Sequence, residues 1–171
     1  MAGSLVLIDS ETASSSSSIS LTGIDSTYNV YQVVTTNIVP ATDGTTFYAR
    51  FTESGTPNTS SNYDYADKEL RTNAFTTDSA VDASAFFQGY EHGSATGEQA
   101  GGIFHIFNAT NSSEYTFLTY ENYYFRDNGV LRGQQGGGVL TVTSAVDGIQ
   151  FYYDSSVAIA SGEFKLYGLK K

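Results

Sequence analysis

Two histidines and eighteen acidic side chains are the groups in this 171-residue chain with the clearest capacity for chemistry. With no cysteine, thiolate metal sites and disulfides are excluded. His105 lies in the alternating run Ile103-Phe-His-Ile-Phe107, where a strand histidine is ordinarily just hydrogen-bonded. His92 lies in a stretch of small residues, 90–102, which reads as an exposed loop tip. Neither histidine is accompanied by a Gly-x-Ser-x-Gly elbow, the strand-to-helix turn that exposes a serine nucleophile. The glycine run 133–138 lacks the Gly-Lys-Ser/Thr ending of a phosphate loop and leads into a strand. Asp64, Asp67 and Glu69, or Asp147 and Asp154, carry oxygens of the kind calcium takes, but no spacing matches a helix-loop-helix calcium site. Solvated carboxylates are the preferred reading, so no metal, cofactor or catalytic residue is expected.

Tyrosine is the other chemistry-bearing type, because its ring stacks and its hydroxyl hydrogen-bonds at low entropic cost. Tyr63, Tyr65, Tyr90, Tyr123 and Tyr124, together with His92, are the candidate ligand or interface residues. Contact between identical subunits is preferred over sugar stacking. The segment 114–126 holds six aromatics, too many to face one core, which calls for a second layer, a neighbouring subunit or a ligand.

The elements that must position these groups are strands. Alternation of period two is expected over 5–8, 18–22, 28–38, 46–53, 65–70, 83–90, 103–108, 115–120 and 139–143, then in a final pair within 148–170. In that pair Ile149, Phe151 and Tyr153 share one face, and Phe164 and Leu166 share another. Turn chemistry separates the strands at 40–44, 54–57, 127–129 and 145–148. The serine run 14–18 reads as a polar edge strand or its approach, and the glycine run 133–138 as a bulged or tightly turning connection. The whole chain, 1–171, is expected to be one all-β domain, a single jelly-roll-like antiparallel sandwich.

Composition narrows the partners. The net charge is −10 and the eight basic residues are scattered, which disfavours nucleic acid. No run approaches the ~18 apolar residues of a membrane span. Met1-Ala-Gly-Ser lacks the basic start of a secretory leader. Charged residues make up 15% of the chain against a usual ~25%, leaving a surface of Ser, Thr, Asn, Gln and Gly. Leu5, Val6 and Leu7, and the basic Lys170 and Lys171, are the expected attachment elements.

Several segments carry a likeness: Gly23-Ile-Asp-Ser-Thr-Tyr28, Ser61-Asn-Tyr-Asp-Tyr65, Gly93-Ser-Ala-Thr-Gly-Glu-Gln99, Gly133-Gln-Gln-Gly-Gly-Gly138, Gly148-Ile-Gln-Phe-Tyr152 and Ile159-Ala-Ser-Gly-Glu-Phe-Lys-Leu-Tyr-Gly168. Through them the chain resembles small virion structural proteins of tailed bacteriophages, notably marine ones. The resemblance implies an all-β module displayed on the particle as a head decoration or appendage, without catalytic residues. The expectation is thus a non-enzymatic virion protein, made in the host cytoplasm and released by lysis. It would form a closed homo-oligomer, a trimer ahead of a pentamer, and bind a major capsid or tail protein. The alternative is a receptor- or glycan-binding module of a tail fibre, meeting a host surface glycan.

Overall fold

A computed structural model describes residues 4–72 and 74–170, and almost all regular structure in it is strand. The strands in chain order are β1 (Leu5–Ser16), β2 (Ile19–Thr22), β3 (Val30–Pro40), β4 (Phe47–Glu53), β5 (Thr56–Pro57), β6 (Tyr63–Arg71) and β7 (Phe75–Ala83). They continue with β8 (Phe86–Phe87), β9 (Ala100–Phe107), β10 (Thr116–Phe125), β11 (Leu131–Leu140), β12 (Gly148–Tyr153) and β13 (Ile159–Leu169). One short 3₁₀ turn, Asp154–Ser156, joins the last two.

Two antiparallel sheets face each other. The larger has the order β1-β13-β3-β9-β10-β11-β6-β7, and the smaller β2-β12-β4-β5, with β8 also paired to β4. The chain passes repeatedly between sheets, from β1 to β2, β3 to β4, β8 to β9, and β12 to β13. The first and last strands lie side by side.

Alternation explains the core. On the larger sheet Tyr31, Val33, Phe104, Ile106, Leu118, Tyr120, Phe164 and Leu166 point inward; on the smaller, Leu21, Phe47, Ala49, Phe51, Ile149, Phe151 and Tyr153 meet them. Phe151 ties the layers together, its ring centroid 5.3 Å from Phe104, 5.4 Å from Phe164 and 5.8 Å from Phe47. Burying one such ring stabilises the fold by about 1.5–3 kcal/mol.

Three expectations need correction. The glycine run 133–138 is no connection: it is the middle of β11, paired on both sides to β10 and β6. Glycine is tolerated there because neighbours fill its space; a Cβ on Gly136 would lie 2.4 Å from that of Asp67, and one on Gly138 2.5 Å from the Phe86 ring. The segment 83–90 is not one strand, since β7 ends at Ala83 and only Phe86–Phe87 returns, in the other sheet. β7 itself escaped notice because it is an exposed edge strand with no buried face to impose a pattern. The strands expected at 5–8 and 115–120 run on to Ser16 and Phe125, so the start of the serine run is edge strand.

Candidate functional site

The buried acids are built into tyrosine pairs. Asp67 and Glu69 alternate with Asp64 along β6, so both face the interior while Asp64 faces outward and accepts a hydrogen bond from the Asp82 backbone N–H at 2.9 Å. The three cannot converge on one ion, and among the described residues no acid or histidine cluster has metal-binding geometry. Tyr120 Oη donates to Asp67 Oδ2 at 3.0 Å and Gln134 Nε2 donates to the same oxygen at 2.7 Å. Burial pushes the Asp67 carboxyl up to about 6, against the downward pull of Gln134 and Tyr120. Glu69 accepts from Tyr124 Oη at 2.6 Å and from Arg71 Nε at 2.6 Å, with Arg132 Nε at 3.8 Å. Burial works against its charge, but Tyr124 and the two guanidinium groups outweigh that and hold the carboxyl below its usual range.

His92 requires correction as well. It is buried, not a loop tip, because its backbone bridges Thr45 and Arg126 and its ring stacks on Tyr124 at 4.4 Å. Its Nδ1 shares a 3.1 Å hydrogen bond with the Tyr153 hydroxyl, and burial lowers the imidazole to about 3. Tyr124 and Tyr63 are also fully buried, so neither offers a surface to a ligand or subunit. Tyr63 donates to the Asn58 carbonyl at 2.9 Å and packs on Phe86 at 4.8 Å. Their phenols are pushed above the ordinary tyrosine range by burial.

Two of the expected tyrosines do come together. Tyr65 and Tyr90 flank Phe87, at 6.2 and 4.2 Å between ring centroids. Phe87 continues to Tyr48 at 6.3 Å, Tyr48 stacks on Tyr152 at 5.6 Å, and the Arg50 guanidinium lies 4.3 Å over Tyr152. Tyr90 is 48% exposed at one end of this aromatic row. Tyr123 is elsewhere, 47% exposed on the outer face of the larger sheet.

The surface features are the edges and that outer face. On edge strand β1, Leu5, Val6 and Leu7 are exposed, and Leu5 pairs with exposed Leu169 of β13. The Lys170 backbone N–H donates to the Ser4 carbonyl at 3.0 Å, placing the expected N-terminal and C-terminal attachment segments against each other. Lys171 lies outside the described residues. At the opposite edge Phe75 and Val81 are exposed, with the Lys68 ammonium 4.5 Å over the Phe75 ring. Across the centre of the outer face run Gln32, His105, Thr119, Glu121 and Gln135, residues that the sequence reading did not single out as a group. The available signal was the period of two in Phe117, Thr119, Glu121 and Tyr123.

No helix among the described residues is long and apolar enough to cross a membrane. Comparison of the chain with protein-family models, curated proteins and solved structures finds no match.

Proposed function

We propose that this protein is a non-enzymatic virion structural subunit of a tailed bacteriophage, a decoration or appendage protein that grips the particle through its β1 edge. The observation that carries the reading is the joined edge: Leu5 and Leu7 of β1 are exposed on the same face as Leu169 of β13, and Val6 is exposed on the other. A soluble β protein ordinarily blunts such an edge with charge or covers it. Asp9, two residues after Leu7 in this strand, accepts from the Thr22 backbone N–H at 2.7 Å and so serves to tie β1 to β2. Its carboxylate is thereby engaged, and the leucines are left to meet a partner.

In the interior Asp67, Glu69 and His92 each hydrogen-bond to a tyrosine hydroxyl and so hold the two sheets in place. The pairing β1-β13-β3-β9 against β2-β12-β4-β8, with successive strands changing sheets, favours a jelly roll enlarged by β5–β7 and β10–β11. On a particle such a subunit works by linkage: binding to the assembled lattice, and not to its loose parts, raises particle stability. An interface of about 800 Å² per partner is the usual size for this. A closed homotrimer, with a pentamer second, matches the local symmetry axes of a capsid, and the direct partner is a capsid or tail protein.

The test is co-sedimentation of the purified chain with particles stripped of it. Binding that is abolished by Leu7→Asp with Leu169→Asp, in a protein that still melts cooperatively, supports the reading. Undiminished binding of that variant, or no binding by the parent chain, overturns it.

A further inference from the structure

The outer face of the larger sheet carries a polar groove that the edge-attachment reading leaves unused. We propose that this groove binds a neutral oligosaccharide, laid across β3, β9, β10 and β11. The groove, about 370 Å³, is lined by Gln32, Ile103, His105, Thr119, Glu121 and Gln135. A second trough of about 380 Å³ reaches Tyr123 and adjoins the first at Ile103 and Glu121.

Register sets these groups in two adjacent rows across the sheet. Gln32 pairs with His105 and His105 with Thr119; Ile103 pairs with Glu121 and Glu121 with Gln135. Four strands at about 4.8 Å spacing extend the rows to roughly 14 Å, a span for several linked rings rather than one small molecule.

The polar groups come as couples that hold each other's geometry. Gln32 Nε2 donates to His105 Nε2 at 2.8 Å, and Gln135 Nε2 donates to Glu121 Oε1 at 2.8 Å. Each couple keeps further donors and acceptors on the same exposed face: the amide oxygens, the second Gln N–H, Glu121 Oε2 and the Thr119 hydroxyl. Adjacent donors and acceptors suit vicinal hydroxyls, each of which gives and takes a hydrogen bond.

Tyr123 supplies a stacking surface. A Cβ on Gly101 would lie 2.7 Å from the Tyr123 hydroxyl oxygen and 3.0 Å from Cζ, so the absent side chain lets the ring lean onto the sheet while remaining half exposed. Gly137, also on this face beside Thr119, adds no side chain to block the row.

Charge selects against other ligands. The groove contains one carboxylate, Glu121; Lys68 and Lys165, the strand partners of Gln135 and Val34 at its two ends, are engaged with the Phe75 ring and with Glu163. A phosphate- or sulfate-rich chain would meet that carboxylate without a cation cluster to offset it. A peptide adding to a sheet needs an open edge, whereas this row crosses strands that are paired on both sides.

The experiment is a glycan array probed with the full-length chain, followed by titration calorimetry with neutral gluco-, manno-, galacto- and chito-oligosaccharides at about 1 mM. At least one neutral series is expected to bind, with affinity falling about tenfold or more in Glu121→Ala and in Tyr123→Ala. Leu7→Asp, at the sheet edge and outside the groove, is expected to bind as the parent does. No binding by any neutral glycan would overturn the proposal, as would binding confined to sulfated or phosphorylated glycans. Concentration-dependent dimerisation that Tyr123→Ala abolishes would also overturn it, by giving the groove to a second copy. Because the titration uses the isolated chain, its failure leaves the attachment reading untouched, and failure to bind particles leaves this one untouched.

Discussion

Tyr124 donates its hydroxyl proton to Glu69 across 2.6 Å while its ring stacks on His92, so one tyrosine joins a buried acid of β6 to a buried histidine bonded to Tyr153 of the smaller sheet. Removing only the hydroxyl, in Tyr124→Phe, leaves the packing and takes a donor from a buried carboxylate. A loss of about 1–3 kcal/mol is expected, read as a lower midpoint in chemical denaturation. An unchanged midpoint would mean that the 2.6 Å contact contributes little.

The two buried acids of β6 carry opposite pH signatures. Asp67, raised to about 6 by burial, favours the fold when protonated: its contribution is full below the unfolded value of 3.8 and is lost as pH rises through about 6. Glu69, held below 4.5, acts the other way, its contribution being present above the unfolded value and lost as pH falls through the folded one. His92, lowered from 6.5 to about 3, likewise costs stability as pH falls below 6.5, because the unfolded chain takes up the proton first. Asp67→Asn keeps an oxygen for Tyr120 and Gln134 but abolishes the titration. Relative to the parent it is expected to gain up to about 3 kcal/mol between pH 4 and pH 7, measured by urea denaturation across that range. A difference between the two proteins that stays flat with pH would contradict this assignment.

Glycines of β11 make a paired test of packing. Gly138→Ala drives a Cβ to 2.5 Å from the Phe86 ring and 2.9 Å from the Asp64 carbonyl, and a loss of about 1–3 kcal/mol is expected. Gly133→Ala meets nothing closer than 3.7 Å and restricts the unfolded chain, so a gain of about 0.5 kcal/mol is expected. Thermal melts of both variants, moving in opposite directions, check the register of β11.

Phe151 joins both layers, and Phe151→Ala is expected to cost about 3–5 kcal/mol. Loss of cooperative unfolding or of soluble expression would be consistent with that figure. A loss under about 1 kcal/mol would contradict its place between Phe104 and Phe164.

The parts of this fold legible in the sequence were those where one face is buried. Ile149, Phe151, Tyr153, Phe164 and Leu166 alternate cleanly because each second residue enters the core. β11 was unreadable since its glycines signal turns locally, and only Asp67, Tyr120 and Phe86, distant in sequence, make a strand of them. β7 was unreadable because neither face is buried. Among the candidate residues, Leu5, Val6, Leu7, Tyr90 and Tyr123 are exposed as a contact residue must be. His92 misled because small neighbours suggest a loop tip, while its burial comes from Phe47, Tyr124 and Tyr153, brought by three other strands. The row from Gln32 to Gln135 depends on register across four strands, which no single segment reveals.

The proposed attachment through the β1 edge is tested most directly by cryo-electron microscopy of phage particles released from cells that make this chain. β-Sandwich density is expected on the capsid or tail, with Leu5, Leu7 and Leu169 buried against a neighbouring protein. Particles that lack the chain, or density in which that edge faces open solvent, would contradict it.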